Sequence, residues 1–327
     1  MAIKGVSIVI RQVTEQIFLV RVNDPRGTGS TNCYLIEGKN GCTLIDTGLF
    51  SEEGTGLWKD VMSRGFRIEK IVLTHVHQDH IGLAKWFQQN FGIPVVVSNF
   101  GYEEMKQYRH PQFKDRFRQL LNNHGILRTP PHLTDFQELY DFEPDEIFKT
   151  GDRILFGSDE YETIWTPGHS YDHVCFYSWE KEIMILGDHI LQHISPVIGL
   201  WNGVERNVMK EYFMSLDKIR TYPVRLGLPG HGGMIKNFSA RVEEIIQNHR
   251  LRLHQVSEII KNRDKTALEV SRELYNYDPL SRKAFLSPFM ASLTRLIYLE
   301  SSGRASRKTR NDLHTFQLNK EHHHTPA

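Results

Sequence analysis

The feature that most constrains the fold of this chain is the stretch "IVLTHVHQDH", residues 71–80, in which three histidines and an aspartate follow an apolar run. The run is typical of a buried strand, and helical periodicity begins just after the last histidine. Histidines two positions apart at a strand end can project to one side of a loop, and imidazole with carboxylate is a donor set suited to zinc or iron. We therefore predict metal ligation, rather than a solvated polar loop, for His75, His77, Asp79 and His80.

Three more candidate ligands follow strand-like runs further along the chain: His169 in "WTPGHSYDH", Asp188 in "MILGDHI" and His231 in "GLPGHGG". Taken singly, they have ordinary explanations as a turn residue, a helix cap and a loop histidine. Taken together and in order, they indicate a set of seven ligands. That number exceeds what one tetrahedral ion uses, so the sequence predicts two divalent metal ions, with zinc expected and manganese or iron as alternatives.

Strand-like and helix-like segments alternate over residues 1–240, which we expect to form one domain of helices covering packed sheets. The first fifty residues alternate apolar and polar positions and contain the turn signal "KNG", which indicates an antiparallel start. Residues from about 100 to 147 have a helical pattern, and we predict an insertion that covers the mouth of the site. Its aromatic residues offer either an apolar wall or internal packing: Tyr102, Tyr108, Phe113 and Phe117.

The pattern changes at about residue 241 to three helical segments and a basic hairpin-like segment, which together look like a small winged-helix domain over 241–320. The first helix carries an apolar stripe that needs a partner surface: Val242, Ile245, Ile246, His249, Leu253, Val256 and Ile260. The basic residues could contact RNA phosphates, although a solvated wing or a homodimer contact explains them equally well: Arg304, Arg307, Lys308 and Arg310. Residues 321–327 are expected to be a disordered tail.

Composition argues against several classes of protein. A formal net charge of +1 gives no global attraction to nucleic acid. No apolar stretch approaches the roughly 18 residues of a membrane span, and the N-terminus lacks the apolar region of a signal peptide, so a cytoplasmic protein is the default expectation. Cys33, Cys42 and Cys175 are an odd number at no metal-ligand spacing, so we expect buried thiols rather than disulfides.

The ordered set of histidines and aspartates resembles the metallo-beta-lactamase superfamily over about residues 5–240, with "HVHQDH" as its most specific part. The resemblance implies an α+β fold, a four-layer αββα sandwich with the site at its strand ends, here followed by the winged-helix-like C-terminal domain. It also divides the ligands between two ions: His75, His77 and His169 on the first, Asp79, His80 and His231 on the second, with Asp188 bridging. Asp46 in "LIDTG" matches the family aspartate that supports a ligand histidine, although position alone also allows a turn cap.

The bridging aspartate narrows the resemblance, because authentic beta-lactamases typically lack it. Asp188 therefore directs the comparison toward glyoxalase-like thioesterases, lactonases and nucleases. The most similar branch contains a beta-lactamase-like endoribonuclease and related hydrolases, which also carry a winged-helix-like C-terminus and a "PGHG" turn. The insertion at about 100–147 is longer than that branch leads one to expect.

Two metal ions about 3.5–4 Å apart share a water and lower its pKa toward about 7, so the sequence predicts hydrolysis by a metal-bridging hydroxide. Asp79 and Asp188 are the expected catalytic residues, and a small thioester or other ester is the expected substrate. The alternative is an endoribonuclease or phosphodiesterase acting on RNA. A mononuclear iron sulfur dioxygenase is disfavoured by the complete second ligand set, and a non-catalytic DNA-binding sensor would not need one. Tyr171 and His173 are candidate proton donors, although His173 heads a strand and has an equal claim to a packing role.

Overall fold

Side chains alternate between two faces along each central strand, and this alternation produces the layers of the fold. In the strand Ser30–Glu37, Tyr34 and Ile36 lie in a core shared with the other sheet, whereas Cys33 and Leu35 belong to a second core that includes helical residues. A sheet with two apolar faces must be covered on both sides. Two sheets therefore face each other, and helices cover their outer faces.

The computed structural model describes residues 10–25, 29–127, 136–276 and 286–320. Its first sheet is antiparallel from its first to its fourth strand, as the alternating sequence pattern predicts, and parallel from the fourth to the seventh. In sheet order the strands are β1 (Ile10–Gln12), β2 (Ile17–Asn23), β3 (Ser30–Glu37), β4 (Cys42–Ile45), β5 (Ile68–Val72), β6 (Val95–Ser98) and β7 (Glu146–Phe148).

The second sheet has five strands in the order β12-β11-β10-β9-β8. They are β8 (Arg153–Phe156), β9 (Asp159–Trp165), β10 (Val174–Ser178), β11 (Ile183–Gly187) and β12 (Leu226–Pro229). Because β10 is antiparallel to both β9 and β11, and β12 is parallel to β11, the strands β9, β11 and β12 all run in one direction. Their carboxyl ends therefore meet at one edge of the sheet.

Helices form the two outer layers. They include α1 (Glu52–Ser63), α2 (Gln78–Ile81), α3 (Ala84–Phe91) and α6 (Val208–Ile219). Trp58 of α1 and Phe87 of α3 pack edge to face with ring centroids 5.5 Å apart, and both belong to the core under the first sheet. On α6, Ser215 donates to the backbone carbonyl of Pro167, just beyond β9. The expected αββα sandwich is confirmed.

The chain leaves the first sheet after β6 and returns at β7, and the excursion is largely helical. It contains α4 (Asn99–Arg109), α5 (Phe113–Asn123) and a 3-10 helix (Gln137–Tyr140), while residues 128–135 lie outside the described ranges. Phe113 and Phe117 are buried in its packing, which favours the internal-packing alternative for these two side chains. Strand β7 comes at the end of the acidic stretch that closes the excursion, and the sequence pattern did not predict it.

The C-terminal region is made of helices followed by a hairpin. These elements are α7 (Phe238–Ile259), α8 (Ala267–Tyr275), α9 (Leu286–Ser301), β13 (Ala305–Arg310) and β14 (Leu313–Leu318). Every residue of the predicted apolar stripe on α7 is buried, from Val242 to Ile260. The partner surfaces are α6, α8 and α9, so the amphipathic pattern correctly indicated a packed helix. The predicted disordered tail, 321–327, lies outside the described residues.

Two expectations from composition concern the cysteines and membrane-spanning helices. Cys33, Cys42 and Cys175 are free thiols, and all three are buried, as predicted. Among the helices described above, none combines the length and apolar character that crossing a bilayer requires.

Candidate metal centre

The candidate ligands meet because strand ends meet. The carboxyl end of β5 leads into the loop that carries His75 and His77, and α2 follows with Asp79 and His80. In the opposite sheet, the shared edge of β9, β11 and β12 carries the other three, each within about four residues of its strand end: His169, Asp188 and His231. Loops at the carboxyl ends of parallel strands are the usual place for a binding site. All seven predicted ligands are brought together here.

The first group of side chains, which we call the three-histidine group, consists of His75, His77 and His169. The Nδ1 atom of His77 lies 3.1 Å from Nε2 of His75 and 2.9 Å from Nε2 of His169. The three nitrogens lie within 4.8 Å of one another. Three imidazole nitrogens this close together can hold a divalent ion and leave a fourth position open.

The second group, which we call the Asp–His group, consists of Asp79, His80 and His231. Oδ2 of Asp79 lies 3.2 Å from Nε2 of His231 and 3.8 Å from Nε2 of His80. His80 is fully buried, whereas the side chains of Asp79 and His231 are 31% and 28% exposed. This group is therefore wider than the three-histidine group and faces solvent on one side.

Asp188 lies between the two groups. Its Oδ2 is 3.4 Å from Nε2 of His169 in the first group and 3.3 Å from Nε2 of His231 in the second. Its other oxygen, Oδ1, is 3.5 Å from Nε2 of His80. The carboxylate is thus within reach of ligand atoms in both groups, which is the geometry that a bridging ligand needs.

Outer ring nitrogens hold several of these imidazoles in one orientation. His169 Nδ1 donates to the carbonyl of Val197, and His231 Nδ1 donates to the carbonyl of Ser30, each at 2.8 Å. His80 Nδ1 donates to the Asp46 carboxylate at 2.8 Å. A hydrogen bond from Nδ1 leaves the Nε2 lone pair free, and Nε2 is the atom that faces the cluster in each case.

Asp46 supports more than one ligand. Its carboxylate accepts from the Thr74 backbone N–H at 2.9 Å, from the Thr74 hydroxyl at 2.8 Å and from His80. The Thr74 hydroxyl in turn lies 3.0 Å from Nδ1 of His75. Asp46 has a φ of 57°, in the left-handed region that few non-glycine residues adopt. The support for a ligand histidine that the family pattern implies is present in the structure, so the simple turn-cap explanation is insufficient.

The two groups differ in electrostatics. Burial and the neighbouring histidines lower the pKa of His75 well below its ordinary value, and burial with His169 lowers that of His77 to about 3. In the other group, burial alone would lower the pKa of His231, but Asp188 and Asp79 raise it to about 10. Burial also opposes the charged form of His80, yet Asp46 and Asp188 raise its pKa well above the ordinary range. Protons therefore occupy the Asp–His group at neutral pH unless a cation displaces them.

The atoms left without partners fit a metal ion. Among the described residues, Nε2 of His80 and Oδ1 of Asp188 are buried and accept no hydrogen bond. Buried polar atoms of this kind are unusual in a folded protein unless an ion or water completes them. A Cβ added to Gly230 would lie 2.4 Å from Oδ1 of Asp188 and 2.8 Å from the His80 ring, so glycine keeps this space open.

His173 is a positioning residue. Its ring is fully buried, its Nε2 accepts from the backbone N–H of Asp188 at 3.0 Å, and its Nδ1 lies 2.8 Å from the Thr166 hydroxyl. With both nitrogens engaged, it is not placed to protonate a leaving group. The packing alternative is therefore the better account of His173.

Sequence reasoning missed Asp172, which stands between the two residues it had singled out in "HSYDH". Asp172 is buried, and its carboxylate accepts from the backbone N–H of Val76 at 2.8 Å. Val76 lies between the ligands His75 and His77, and Tyr140 donates to its carbonyl at 3.0 Å. The signal available in the sequence was a carboxylate between two aromatic residues that follow a strand, which is weak by itself.

A pocket adjoins the three-histidine group. It encloses about 260 Å³ of empty space, some of it open to solvent. Glu104 and Tyr108 of the helical insertion form one wall, and Ser170 and Tyr171, next to the ligand His169, form another. Further lining comes from the segment that connects Asp188 to α6, residues 189–207, which we call the connecting segment: Gly199, Leu200, Trp201, Asn202, Val204 and Arg206. The insertion thus contributes residues to this pocket, and its covering of the mouth of the metal site stays a prediction.

Comparisons with known proteins agree with this geometry. A sequence profile of the metallo-beta-lactamase superfamily matches residues 26–231, more than half of the chain. An atrochrysone carboxyl ACP thioesterase of Aspergillus fumigatus is 28% identical over 240 residues, which cover 71% of this chain and 60% of that protein. A probable metallo-hydrolase of Bacillus subtilis is 26% identical over 274 residues, 80% of this chain and 86% of that protein.

A solved structure extends the likeness to most of the molecule. A metallo-beta-lactamase family protein from Thermus thermophilus superposes with a TM-score of 0.84 at 26% identity, covering 94% of this chain and all of that one. Coverage of 94% of this chain extends the likeness beyond residues 26–231, which the superfamily profile matches. The family match over more than half of the chain, together with the strand-end cluster of histidines and aspartates, shows that the chain belongs to the metallo-beta-lactamase superfamily.

Proposed function

We propose that this chain hydrolyses a small-molecule thioester or related ester with the help of two divalent metal ions. The observation that carries the proposal is the position of Asp188, whose carboxylate reaches ligand nitrogens of both groups at 3.3–3.5 Å. The three-histidine group would hold one ion, and the Asp–His group would hold the other, with zinc as the expected metal and manganese or iron as alternatives.

Divalent ions bound at such a centre supply a nucleophile from water near neutral pH and polarise the scissile carbonyl group. The protein's own residues then orient the attacking water and control access to the metal centre. Asp79 is partly exposed and lies on the open side of the cluster, where its carboxylate can orient an attacking water. Asp188 is nearly buried, so it acts as a fixed anion between the two groups. Tyr171 lines the adjoining pocket and remains our candidate proton donor to the leaving group.

The choice of a thioester draws support from the relatives. The Aspergillus fumigatus protein is described as an acyl carrier protein thioesterase, and our matched region spans 60% of its length. The pocket beside the three-histidine group gives room for an acyl group next to the ligands. Substrate identity does not follow from fold alone, so the acyl group has to be found by experiment.

RNA cleavage has less support than ester hydrolysis. The described basic residues of the C-terminal hairpin are partly engaged inside the molecule: Arg307 forms ion pairs with Glu205 and Glu300, and Lys308 pairs with Asp264. Charges that are already paired have less to offer to phosphates. We therefore interpret the winged-helix-like region of three helices and a hairpin chiefly as a structural support, with RNA binding and a homodimer as predictions that binding and sedimentation assays would test.

The proposal is tested by hydrolysis assays after metal removal and reconstitution. The purified chain is treated with a chelator, reloaded with zinc, manganese or iron, and given thioester, ester, lactone, phosphodiester and RNA substrates. We expect fastest turnover with a thioester and about two metal ions per chain by elemental analysis. Turnover of RNA alone would contradict the substrate class. A saturated chain with a single ion would contradict the binuclear centre.

A further inference from the structure

Arg206 places a positive charge in the pocket beside the three-histidine group. Its guanidinium lies over the ring of Tyr171, 3.9 Å from the centroid, and it lines the pocket together with that ring. The residue is half-buried, and within the described ranges no carboxylate lies within ion-pair distance of it. Glu211, in the first turn of α6, lies within electrostatic range of the guanidinium but forms no ion pair with it. A partly buried cation that lacks a close ion pair is costly unless a ligand supplies negative charge at its nitrogens.

The acidic residue of the same pocket does not supply that charge. Glu104 is buried, and both of its carboxyl oxygens accept from the side-chain amide of Asn202, at 2.7 and 3.0 Å. Burial and the neighbouring Asp172 raise the pKa of Glu104 to about 8, so it is largely uncharged at neutral pH. Among the side chains that line the pocket, Arg206 is therefore the one that carries a full charge, and the walls beside it are aromatic.

The pocket is also placed where a substrate group would extend from the reacting bond. Tyr171 lies two residues after the ligand His169, and the Trp201 ring packs edge to face with the ligand His77, with centroids 6.0 Å apart. The indole N–H of Trp201 is buried and finds no acceptor among the described residues. Donors and aromatic faces that converge beside the metal ligands favour a group that is apolar in its body and anionic at its end.

We propose that this pocket binds an anionic group of the substrate through Arg206, with Tyr171 and Trp201 covering the apolar part that connects it to the scissile bond. The inference rests on the proposed esterase function. Two parts of a thioester can carry such an anion: a carboxylate on the acyl group, or a phosphate on the thiol carrier. Both are oxyanions that a guanidinium binds through charge-assisted hydrogen bonds.

The experiment is a two-by-two set of thioesters. The acyl group is either a straight chain of two to six carbons or the same chain ending in a carboxylate, and the thiol is either pantetheine or phosphopantetheine. We expect the anionic member of one pair to be hydrolysed about 10- to 100-fold more efficiently, mainly through KM. Arg206→Ala should remove that preference by slowing the anionic substrate much more than the neutral one, and Arg206→Lys should retain part of the preference. The pair that responds identifies which part of the substrate carries the anion.

Arg118→Ala is the matched control, because Arg118 is exposed on α5 and pairs only with Asp115 in the described structure. The inference is wrong if the wild type shows no preference in either pair, or if Arg206→Ala slows neutral and anionic substrates equally. Should no thioester be hydrolysed, calorimetric titration with the non-hydrolysable thioether analogues decides the matter separately. Binding that depends on Arg206 would then support the anion pocket even though the esterase proposal fails. Binding that Arg206→Ala leaves unaffected would overturn the anion pocket.

Discussion

The two ligand groups are held by different parts of the chain. In the Asp–His group, His80 and His231 donate to Asp46 and to the Ser30 carbonyl, which lie at the ends of β4 and β3 in the first sheet. In the three-histidine group, His169 donates to the Val197 carbonyl, which lies in the connecting segment. One group is therefore anchored directly on regular structure, whereas part of the other is anchored on a stretch without helix or strand.

The connecting segment depends on the C-terminal region for its position. Arg241 of α7 donates to the carbonyls of Leu191 and Ile194, at 2.7 and 2.8 Å, and Thr294 of α9 donates to the carbonyl of Ile198 at 3.1 Å. The C-terminal helices thus influence the three-histidine group through backbone contacts. The comparison shows that the first sheet holds the Asp–His group directly. The position of part of the three-histidine group depends instead on the C-terminal helices.

Replacing Asp188 should have the largest effect, because it is the one ligand shared by both groups. We expect Asp188→Asn to lower bound metal and to reduce hydrolysis by at least about 100-fold, since the nearby cations lose their common anion. Elemental analysis and initial rates would measure the two losses. Asp217→Asn is the control, because Asp217 is exposed on α6 and pairs only with Arg220 in the described structure. Unchanged metal content would remove Asp188 from the bridging role.

Replacing Asp46 should lower the metal affinity of the two ligand groups unequally. Asp46→Asn weakens the support of His80 and of Thr74, so we expect the Asp–His group to lose affinity for its ion by roughly 10- to 100-fold. The three-histidine group should change less, because His169 is held elsewhere. Competition with a chelating dye reports each affinity, and Asp60→Asn, on the exposed side of α1, is the control. An equal loss at both ions would show that the two groups are not independently anchored.

Proton release should also distinguish the groups. His231, with a pKa of about 10, holds a proton at pH 7, whereas His77, with a pKa of about 3, does not. An ion entering the Asp–His group must displace roughly one to two protons, so its affinity falls as pH falls, while an ion entering the three-histidine group displaces about none. Zinc calorimetry in buffers of different ionisation enthalpy measures this number. Equal release in both binding steps would contradict the assignment of charges.

The smallest effect should come from Glu205 in the connecting segment. Burial raises its pKa, but hydrogen bonds from His124 and Arg307 outweigh burial and lower the pKa from 4.5 to about 2. A lowered pKa stabilises the fold above about pH 4.5, and this stabilisation is lost as pH falls toward 2. We expect Glu205→Gln to cost about 1 kcal/mol at pH 7 after allowing for solvent screening, and to change hydrolysis little.

Chemical denaturation at several pH values tests this expectation. The difference between the wild type and Glu205→Gln should be constant near neutral pH and shrink below about pH 4.5. Glu258→Gln, which removes an exposed pair with Lys261 on α7, is the matched control and should have almost no effect. A difference that grows in acid would mean that Glu205 is not the ionised partner.

The sequence predicts the ligands better than it predicts the pocket, because four of the ligands are close neighbours in the sequence. His75, His77, Asp79 and His80 stand within six positions after a strand, so their proximity follows from covalent geometry. The later ligands follow strands whose ends meet once the sandwich forms. The pocket instead depends on the connecting segment, whose conformation is set by distant side chains such as Arg241 and Thr294. No periodicity in the segment itself carries that information.

Dependence on distant contacts also explains why the sequence did not predict strand β7 or the Glu104–Asn202 hydrogen bond. Strand β7 is three residues long, which is too short to show the alternation that marks a strand, and pairing with β6 decides its conformation. Glu104 and Asn202 are 98 positions apart, and only the folded chain reveals that one is the hydrogen-bond partner of the other.

The contacts between α7 and the connecting segment also bear on how the molecule unfolds. α7 begins at Phe238, and its Arg241 side chain is 6% exposed, with its guanidinium donating to carbonyls that lie just beyond Asp188. Separating the C-terminal helices would leave those carbonyls and that guanidinium without partners, at a cost of a few kcal/mol. Melting of the C-terminal region and of the catalytic sandwich is therefore coupled, and calorimetry should record one cooperative transition, in contrast to the two transitions of loosely tethered domains.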